Sequence, residues 1–465
     1  MDPLVAALGS RRRFPSYRNL TVLLLSQLVG GAGLAAGVTV GALLSQSAFG
    51  TDLLAGLPNA AATAGAAGAA AVVGALSQRW GRRVGLAFGY GAAALGSIGA
   101  VVAIATSNVV ILLLSLIAYG AGSAASMQAR YAGAHLASIK HQALAMSVVL
   151  MSTSVGVLVG PALLPTAQML AANLKLPTTA GPFVLAGGSY VVAFIVVAAF
   201  LRIPSGETRP SLLIENPDAA VAGQPGPGLR VGAITICGAQ ALMVAVMTMT
   251  PVYMRHNGFS ISTIGLVIAL HIASMYLPAP LSGYLADRFG SRAVGQLAAL
   301  VFSGSALVVL FSQRHSLTSM IVALILLGWG WSLGVVAGSA AVTNATASAR
   351  VQGRIDAGMS IAGALAGVLS GLVVATVGFQ WLAVSALALA LGYWLVVTRP
   401  TRVGRSALLA LSFVTFGCSL RGDELDRATG ECGYPISSAL RPREPQGATN
   451  FARLAGSHKT PTRTP

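Results

Sequence analysis

The chain has 465 residues, of which 55% are hydrophobic and only 9% are charged, and its mean hydropathy is +0.76. Because soluble proteins carry about 25% charged residues, this composition excludes a water-soluble globular protein. A net charge of +17 would suggest nucleic acid in a soluble protein, but here the basic residues are spread along loops and termini. We therefore expect a lipid bilayer as the partner, and no nucleic acid.

Twelve apolar stretches follow one another along the chain, each long enough as a helix to cross a hydrocarbon core of about 30 Å. Backbone groups in lipid must be satisfied within their own segment, so the stretches predict helices. The fold class is therefore an all-α integral membrane protein. The predicted spans are residues 20–44, 53–77, 84–105, 108–132, 143–166, 182–201, 231–253, 261–284, 293–312, 317–344, 358–377 and 381–398.

A polar segment rich in Pro, Gly and Glu separates the sixth and seventh spans. It divides the chain into two halves of six helices each. The last part of the chain is charged and rich in Pro, Gly and Thr, which predicts disorder. The predicted organisation is an N-terminus at 1–19, an N-terminal bundle at 20–202, a central loop at 203–230, a C-terminal bundle at 231–400 and a tail at 401–465.

Arginine and lysine lie mainly in the loops on one side of the predicted membrane, whereas the other side carries only Lys175, Arg255 and Arg314. By the positive-inside rule, both termini and the central loop face the cytoplasm. We expect a multi-pass protein of the plasma (inner) membrane and a monomer. The three cysteines lack metal-ligand spacing, and no cofactor is expected.

One loop phrase occurs in both halves. Residues 74–83 read GALSQRWGRR and residues 283–292 read GYLADRFGSR, an offset of 209 (283 minus 74). Repetition of a basic loop between apolar helices predicts a duplicated membrane protein, typically a transporter. The candidate residues of the two loops are Gly74, Gln78, Arg79, Gly81, Arg82 and Arg83, and Gly283, Asp287, Arg288, Gly290 and Arg292.

Twelve helices in two halves with this phrase resemble the major facilitator superfamily, whose signature loop lies between helices two and three. The resemblance implies transport by alternating access, with the loop stabilising the outward-facing state. Asp287 is expected to accept hydrogen bonds from a helix N-terminus or an arginine. Gln78 stands at the acidic position of the first copy, so the N-terminal lock is expected to be weaker. The alternative is that these charges only set topology.

Small residues recur at four-residue spacing in two helices, which favours close helix packing. Gly156 and Gly160, followed by Pro161, have a counterpart in Gly367 and Gly371. The first set also resembles in part the Gly-x-x-x-Gly-Pro motif of the superfamily's antiporters, which indicates export.

The membrane midplane between the halves is the expected substrate site of such a transporter. An ionisable residue there is a functional candidate, and the sequence places only His271 at that depth. Asp52, Asp287 and Asp356 are expected at helix ends. Arg130, at the end of the fourth helix, is expected to reach the surface, and a gating role is the alternative.

Met275 shares a helix face with His271, and Met243 and Met247 share another with Gln240. Thioethers and an imidazole suit Cu(I), although methionine also fills apolar cores. The lone His can instead bind an organic substrate or carry a proton.

These Met and His motifs resemble the CcoA-like copper importers, and the resemblance implies copper import, with copper as substrate only. A proton-coupled drug or metabolite efflux antiporter is the alternative, and a non-transporting membrane sensor is a further one. No nucleophile with a positioned base and no phosphate loop is visible, so an enzyme is not expected.

Overall fold

The computed structural model describes residues 13–48, 57–203, 226–311 and 316–398. The predicted all-helical fold is confirmed in this part of the chain. Its helices are α1 (Arg13–Ala48), α2 (Leu57–Trp80), α3 (Arg82–Ala105), α4a (Val109–Tyr119), α4b (Ala121–Leu136), α5 (Gln142–Asn173), α6 (Gly181–Phe200), α7 (Pro227–His256), α8a (Ile261–Tyr276), α8b (Ala279–Phe289), α9 (Ser291–Leu310), α10 (Leu317–Ala345), α11 (Ala349–Val377) and α12 (Phe379–Thr398).

Eleven spans within the described ranges are long and apolar enough to cross a membrane, counting α4a with α4b and α8a with α8b as one span each. With α1 they make twelve helices. Serine side chains accept a backbone N–H at the start of α8a, α10 and α11, and the side chain of Asn108 accepts two at the start of α4a. These caps satisfy amide groups that a helix cannot satisfy internally.

Two hydrophobic clusters hold the two halves. The N-terminal cluster is built around stacked and edge-on tyrosines, including Tyr90, Tyr119 and Tyr190. The C-terminal cluster contains Phe302 and Tyr393, and it also takes in residues from α4b and α5 of the other half. The halves therefore share part of their core. Large apolar side chains exposed on the outer faces provide the surface that contacts lipid.

The two repeated loops lie at the same end of the bundle, which we call the basic end. The two helices at each loop are joined through one glycine with a positive φ, which is Gly81 (φ 88°) in the first loop and Gly290 (φ 84°) in the second. This left-handed backbone strongly favours glycine, because other residues clash there. At the basic end α2 packs against α11 of the other half, and α8b packs against α5.

One predicted boundary was wrong in a way that matters for the site. The eleventh helix begins at Ala349, not at residue 358, with Ser348 as its cap. Its first turns carry Arg350, Arg354 and Asp356. Because these residues are charged, the apolar pattern alone assigns them to a loop, although they lie in a regular helix. The central loop, residue Asp52 and the tail lie largely or wholly outside the described residues.

Candidate functional site

The two repeated loops each hold a helix of the opposite half. The Asp287 carboxylate accepts hydrogen bonds from the backbone N–H groups of Ala143 (3.0 Å) and Leu144 (2.8 Å), at the start of α5. The Gln78 amide oxygen accepts one from the N–H of Ala349 (2.8 Å), at the start of α11. A carboxylate at a helix N-terminus is favoured by the helix dipole, whereas a neutral amide gains less from it. The two loops thus make corresponding contacts with a helix N-terminus, but only the contact of Asp287 involves a charged side chain.

Glycines let the helix backbones come close beside both loops. A Cβ on Gly74 would lie 2.8 Å from the Cα of Gly353, and a Cβ on Gly283 would lie 2.2 Å from the Oγ of Ser147. Distances below 3.0 Å are not tolerated without movement. Gly74 and Gly283 therefore permit a contact between the halves that no larger residue allows.

A buried ion pair joins the halves deeper in the interface. Arg130 on α4b contacts Asp356 on α11, with 2.6 Å between Nη2 and Oδ1 and 3.4 Å between Nη1 and Oδ2. The Arg130 Nε donates to the Oγ of Ser339 on α10 at 2.8 Å, and Nη2 donates to the hydroxyl of Tyr131 at 3.1 Å. Arg130 is fully buried and Asp356 is 3% exposed. Neither charge is stabilised by bulk water, so each depends on the other.

A second buried arginine lies beside this pair. Arg82, at the start of α3, donates through Nη2 to the Oε1 of Gln352 on α11. Its Nη1 has no hydrogen-bond partner among the described residues. The ring of Tyr131 lies 4.4 Å from the Arg130 guanidinium and 5.9 Å from that of Arg82, so one aromatic ring contacts both cations.

Two expectations about this network were wrong. Arg130 does not extend to the surface, because Asp356 and Ser339 of the other half hold it in the interior. Asp356 is not at a helix end, because α11 begins seven residues earlier than Asp356, at Ala349. The pair could not be recognised from the sequence, because its members are 226 residues apart.

A polar and aromatic cluster lies in the C-terminal half, near the midpoints of the seventh, eighth and tenth spans. The Gln240 side chain on α7 accepts a hydrogen bond from the Trp331 indole on α10 at 2.8 Å. Trp331 meets Tyr276 edge-on, with ring centroids 5.4 Å apart, where α8 breaks between α8a and α8b. Gln240 and Tyr276 are half-buried. Non-helical backbone midway along a membrane-spanning segment is typical of transporter sites.

His271 is fully buried on α8a, and α10 holds it. Its Nδ1 is 2.8 Å from the carbonyl oxygen of Leu324 and must donate, so Nε2 carries the lone pair. Nε2 has no partner among the described residues. Met275 and Met243 are buried in the same hydrophobic cluster. Met247 packs against it and is half-buried. In the described ranges no group of three or more His, Cys, Asp and Glu is placed to hold a metal ion.

The predicted glycine motifs differ between the halves. A Cβ on Gly156 would lie 1.9 Å from the Leu28 carbonyl oxygen, so α1 and α5 touch through their backbones there. Gly160 is buried on the same helix, and Pro161 follows within α5. Gly367 and Gly371 have neighbours only at 3.4 and 3.8 Å, which is ordinary contact. Close backbone packing therefore holds at Gly156 and not at its predicted counterparts.

The loop arginines take up several positions. Arg79 stacks over Trp80 at 5.1 Å, and Arg288 lies 5.6 Å from the Phe289 ring and donates to the Tyr284 hydroxyl at 2.6 Å. Arg83 and Arg292 are exposed. Of the basic residues of the loops, only Arg82 is buried between the halves.

A family model described as Major Facilitator Superfamily matches residues 23–253 and 231–418. The chain belongs to the major facilitator superfamily. YddS of Bacillus subtilis (strain 168), an uncharacterized MFS-type transporter, is 42% identical over 338 residues, covering 71% of this chain and 78% of its own. The riboflavin transporter RfnT of Brucella anthropi is 26% identical over 331 residues, covering 70% and 81%.

The superfamily fold is also found in solved structures. The transporter FucP in its outward conformation has a TM-score of 0.62 at 15% identity, covering 83% of this chain and 99% of its own. The family model and the sequence relatives confirm the predicted superfamily, and the chain is a membrane transporter of small solutes. The CcoA-like copper branch is not supported by these relatives.

Gln27 is a buried polar residue of the N-terminal half that was not among the predicted site residues. Gln27 on α1 is buried and accepts hydrogen bonds from the Tyr90 hydroxyl (2.8 Å) and the Ser126 hydroxyl (2.9 Å). It precedes Gln240 by 213 residues (240 minus 27), close to the loop offset of 209. This separation was the feature of the sequence from which Gln27 could have been identified as a candidate. Each glutamine lies on the first helix of its half.

Proposed function

We propose that this transporter moves a small organic solute across the plasma membrane by alternating access, and that the structure is its outward-facing state. The basic end, placed on the cytoplasmic side by its arginines, is then the closed end. The observation that carries the proposal is the buried pair between Arg130 and Asp356, which joins the halves only while that end is closed. The holds at Asp287 and Gln78 act in the same direction.

The substrate in this proposal is a flat heteroaromatic solute bound at the half-buried side chains of Gln240 and Tyr276. The amide and the phenol offer hydrogen bonds and one aromatic face, and the Trp331 indole, which is only 2% exposed, holds the Gln240 amide in position. The name of RfnT, a relative at 26% identity, suggests riboflavin as the first solute to test.

Flux into proteoliposomes tests this substrate class. Riboflavin and a panel of heteroaromatic metabolites would be offered under gradients of both directions. Removing the Gln240 hydrogen bond or the Trp331 ring by mutation should raise KM for the solute about 5- to 30-fold, because about 1–2 kcal/mol of binding free energy is lost. Trp394→Ala is the matched control, because Trp394 is 39% exposed on an outer face.

Equal effects of Trp331→Ala and Trp394→Ala would contradict the site. Absence of saturable flux for every solute offered would contradict the substrate class. Binding without flux in either direction would instead support the sensor alternative, and outward flux alone would support the efflux antiporter.

Proton coupling is part of the proposal, because Asp356 is a buried carboxylate that loses its partner when the basic end opens. Arg130, Arg82 and Tyr131 are the groups that surround it. Protonation would let Asp356 part from Arg130 without an unpaired negative charge in the interior. Solute addition should then alkalinise the medium around wild-type vesicles, and Asp356→Asn should abolish that signal. An unchanged proton signal in Asp356→Asn would exclude Asp356 as the coupling residue.

Copper import is the second candidate, favoured by the free lone pair of His271 with Met275 one turn further along α8a. Uptake of copper by wild type, Met243→Ala and His271→Ala would be compared in vesicles. Loss of copper uptake in both variants would support copper import. Equal copper accumulation by the wild type and both variants would exclude copper import through this site.

A further inference from the structure

A groove of about 750 Å³ opens on the outer surface at the basic end, between α3 and α6. Its walls include Trp80, Phe88 and Phe194, and its rim includes Arg83 and Arg202. It lies in the N-terminal bundle alone, away from the central polar cluster and from the interface between the halves. Neither the proposed substrate site nor the interface contacts use it.

The aromatic walls face the surroundings of the protein. Trp80 is 53% exposed, Phe88 44% and Phe194 39%. Their neighbours on α3 and α6 along the membrane direction, such as Leu95 and Ile195, are exposed as well. In a membrane protein such a surface contacts acyl chains.

The rim of the groove is positively charged. Arg83 and Arg202 both line it, and Arg79 stacks over Trp80 close by. The described part of the chain contains two carboxylates, and Asp287 and Asp356 are both engaged between the halves. Neither of these two described carboxylates therefore neutralises the rim. The start of α3 adds to the positive potential, because Gly81 provides no side-chain cap.

Arg202 is held in place without any ligand. The Asn19 side chain on α1 donates to the Arg202 carbonyl at 2.8 Å and accepts from the Arg202 N–H at 2.9 Å. The backbone at this corner is fixed, so only the arginine side chain has to be ordered on binding. Less ordering means that less entropy is lost when an anion is bound.

We propose that this groove binds one anionic phospholipid, with its phosphate between Arg83 and Arg202 and an acyl chain along Phe88 and Phe194. The occupant combines an anion with an apolar tail, as the groove combines a cationic rim with aromatic walls. The basic end is the end that positive-inside placement sets against the anionic leaflet. A zwitterionic lipid fills the same walls but lacks the net charge.

Quenching of Trp80 fluorescence by brominated lipid tests the proposal. The protein would be reconstituted in phosphatidylcholine with increasing fractions of brominated phosphatidylglycerol, and in parallel with brominated phosphatidylcholine. Subtracting the Trp80→Phe signal isolates quenching in the groove. Each arginine contributes about fivefold preference, so wild type should prefer phosphatidylglycerol about 25-fold.

The double variant Arg83→Gln, Arg202→Gln should reduce this preference to near one. Arg292→Gln is the matched control, because Arg292 is the exposed counterpart of Arg83 in the second loop and should leave the preference unchanged. Equal quenching by both lipids in wild type, or an unchanged preference in the double variant, would overturn the proposal. Absence of Trp80-dependent quenching by either lipid would also overturn it, because the groove would then be filled by protein.

Discussion

Replacing Asp356 with asparagine should open the basic end of the transporter. The variant keeps the shape of the side chain but leaves Arg130 fully buried without its anion. Removing one member of a buried ion pair costs about 3–5 kcal/mol. That cost falls on the state in which the halves are joined, since water reaches Arg130 once they separate. At about 1.4 kcal/mol per factor of ten, the equilibrium should shift by about 100-fold to about 4,000-fold toward the open basic end.

The shift can be measured as the labelling rate of a cysteine at Ser147 by a charged maleimide, with the three native cysteines replaced. Ser147 is fully buried against Gly283 in the closed interface. Asp356→Asn should raise the rate about 100-fold, following the equilibrium. The double variant Arg130→Met, Asp356→Leu removes both charges and should bring the labelling rate most of the way back to the wild-type rate. Labelling of Asp356→Asn at the wild-type rate, in protein that remains monodisperse, would refute the reasoning.

Three further predictions concern the contacts between the halves and the packing of α1 against α5. Gln78→Asp should give α11 the charged hold that Asp287 gives α5, slowing the same labelling about two- to fivefold; faster labelling would show that the amide is the better acceptor. Gly74→Val should abolish transport while the protein still folds, because the new side chain meets Gly353 only in the closed state; retained flux would contradict this. Gly156→Leu should lower the melting temperature by several degrees, because α1 and α5 touch there. Gly367→Ala is its control and should leave the melting temperature unchanged, and equal melting of the two variants would contradict the packing difference.

The helices and the two halves could be predicted from the sequence because apolar length in lipid allows little else. The turns at Gly81 and Gly290 could also be located, since a duplicated phrase fixes where both loops lie. These features depend on local composition, which a single sequence displays directly.

The interface network could not be predicted in the same way. Arg350, Arg354 and Asp356 interrupt the apolar pattern of α11, and only the opposite half explains why a polar stretch is helical and partly buried. The glycine motifs show the same limit. Gly156 and Gly367 carry the same spacing, but the pattern does not show which of them meets another backbone.

The contacts of α11 lie along one face, at Ala349, Gln352 and Asp356, about one turn apart. A rigid helix that tilts away at its basic end separates first where the displacement is largest. The hydrogen bond of Ala349 to Gln78 should therefore break first, and that of Gln352 to Arg82 second. Asp356 should remain shielded from water until the last part of the movement. The most expensive event, hydration of a separated ion pair, comes last. The barrier to opening thus lies late in the movement, and brief partial openings of the outer contacts revert before water reaches the charges.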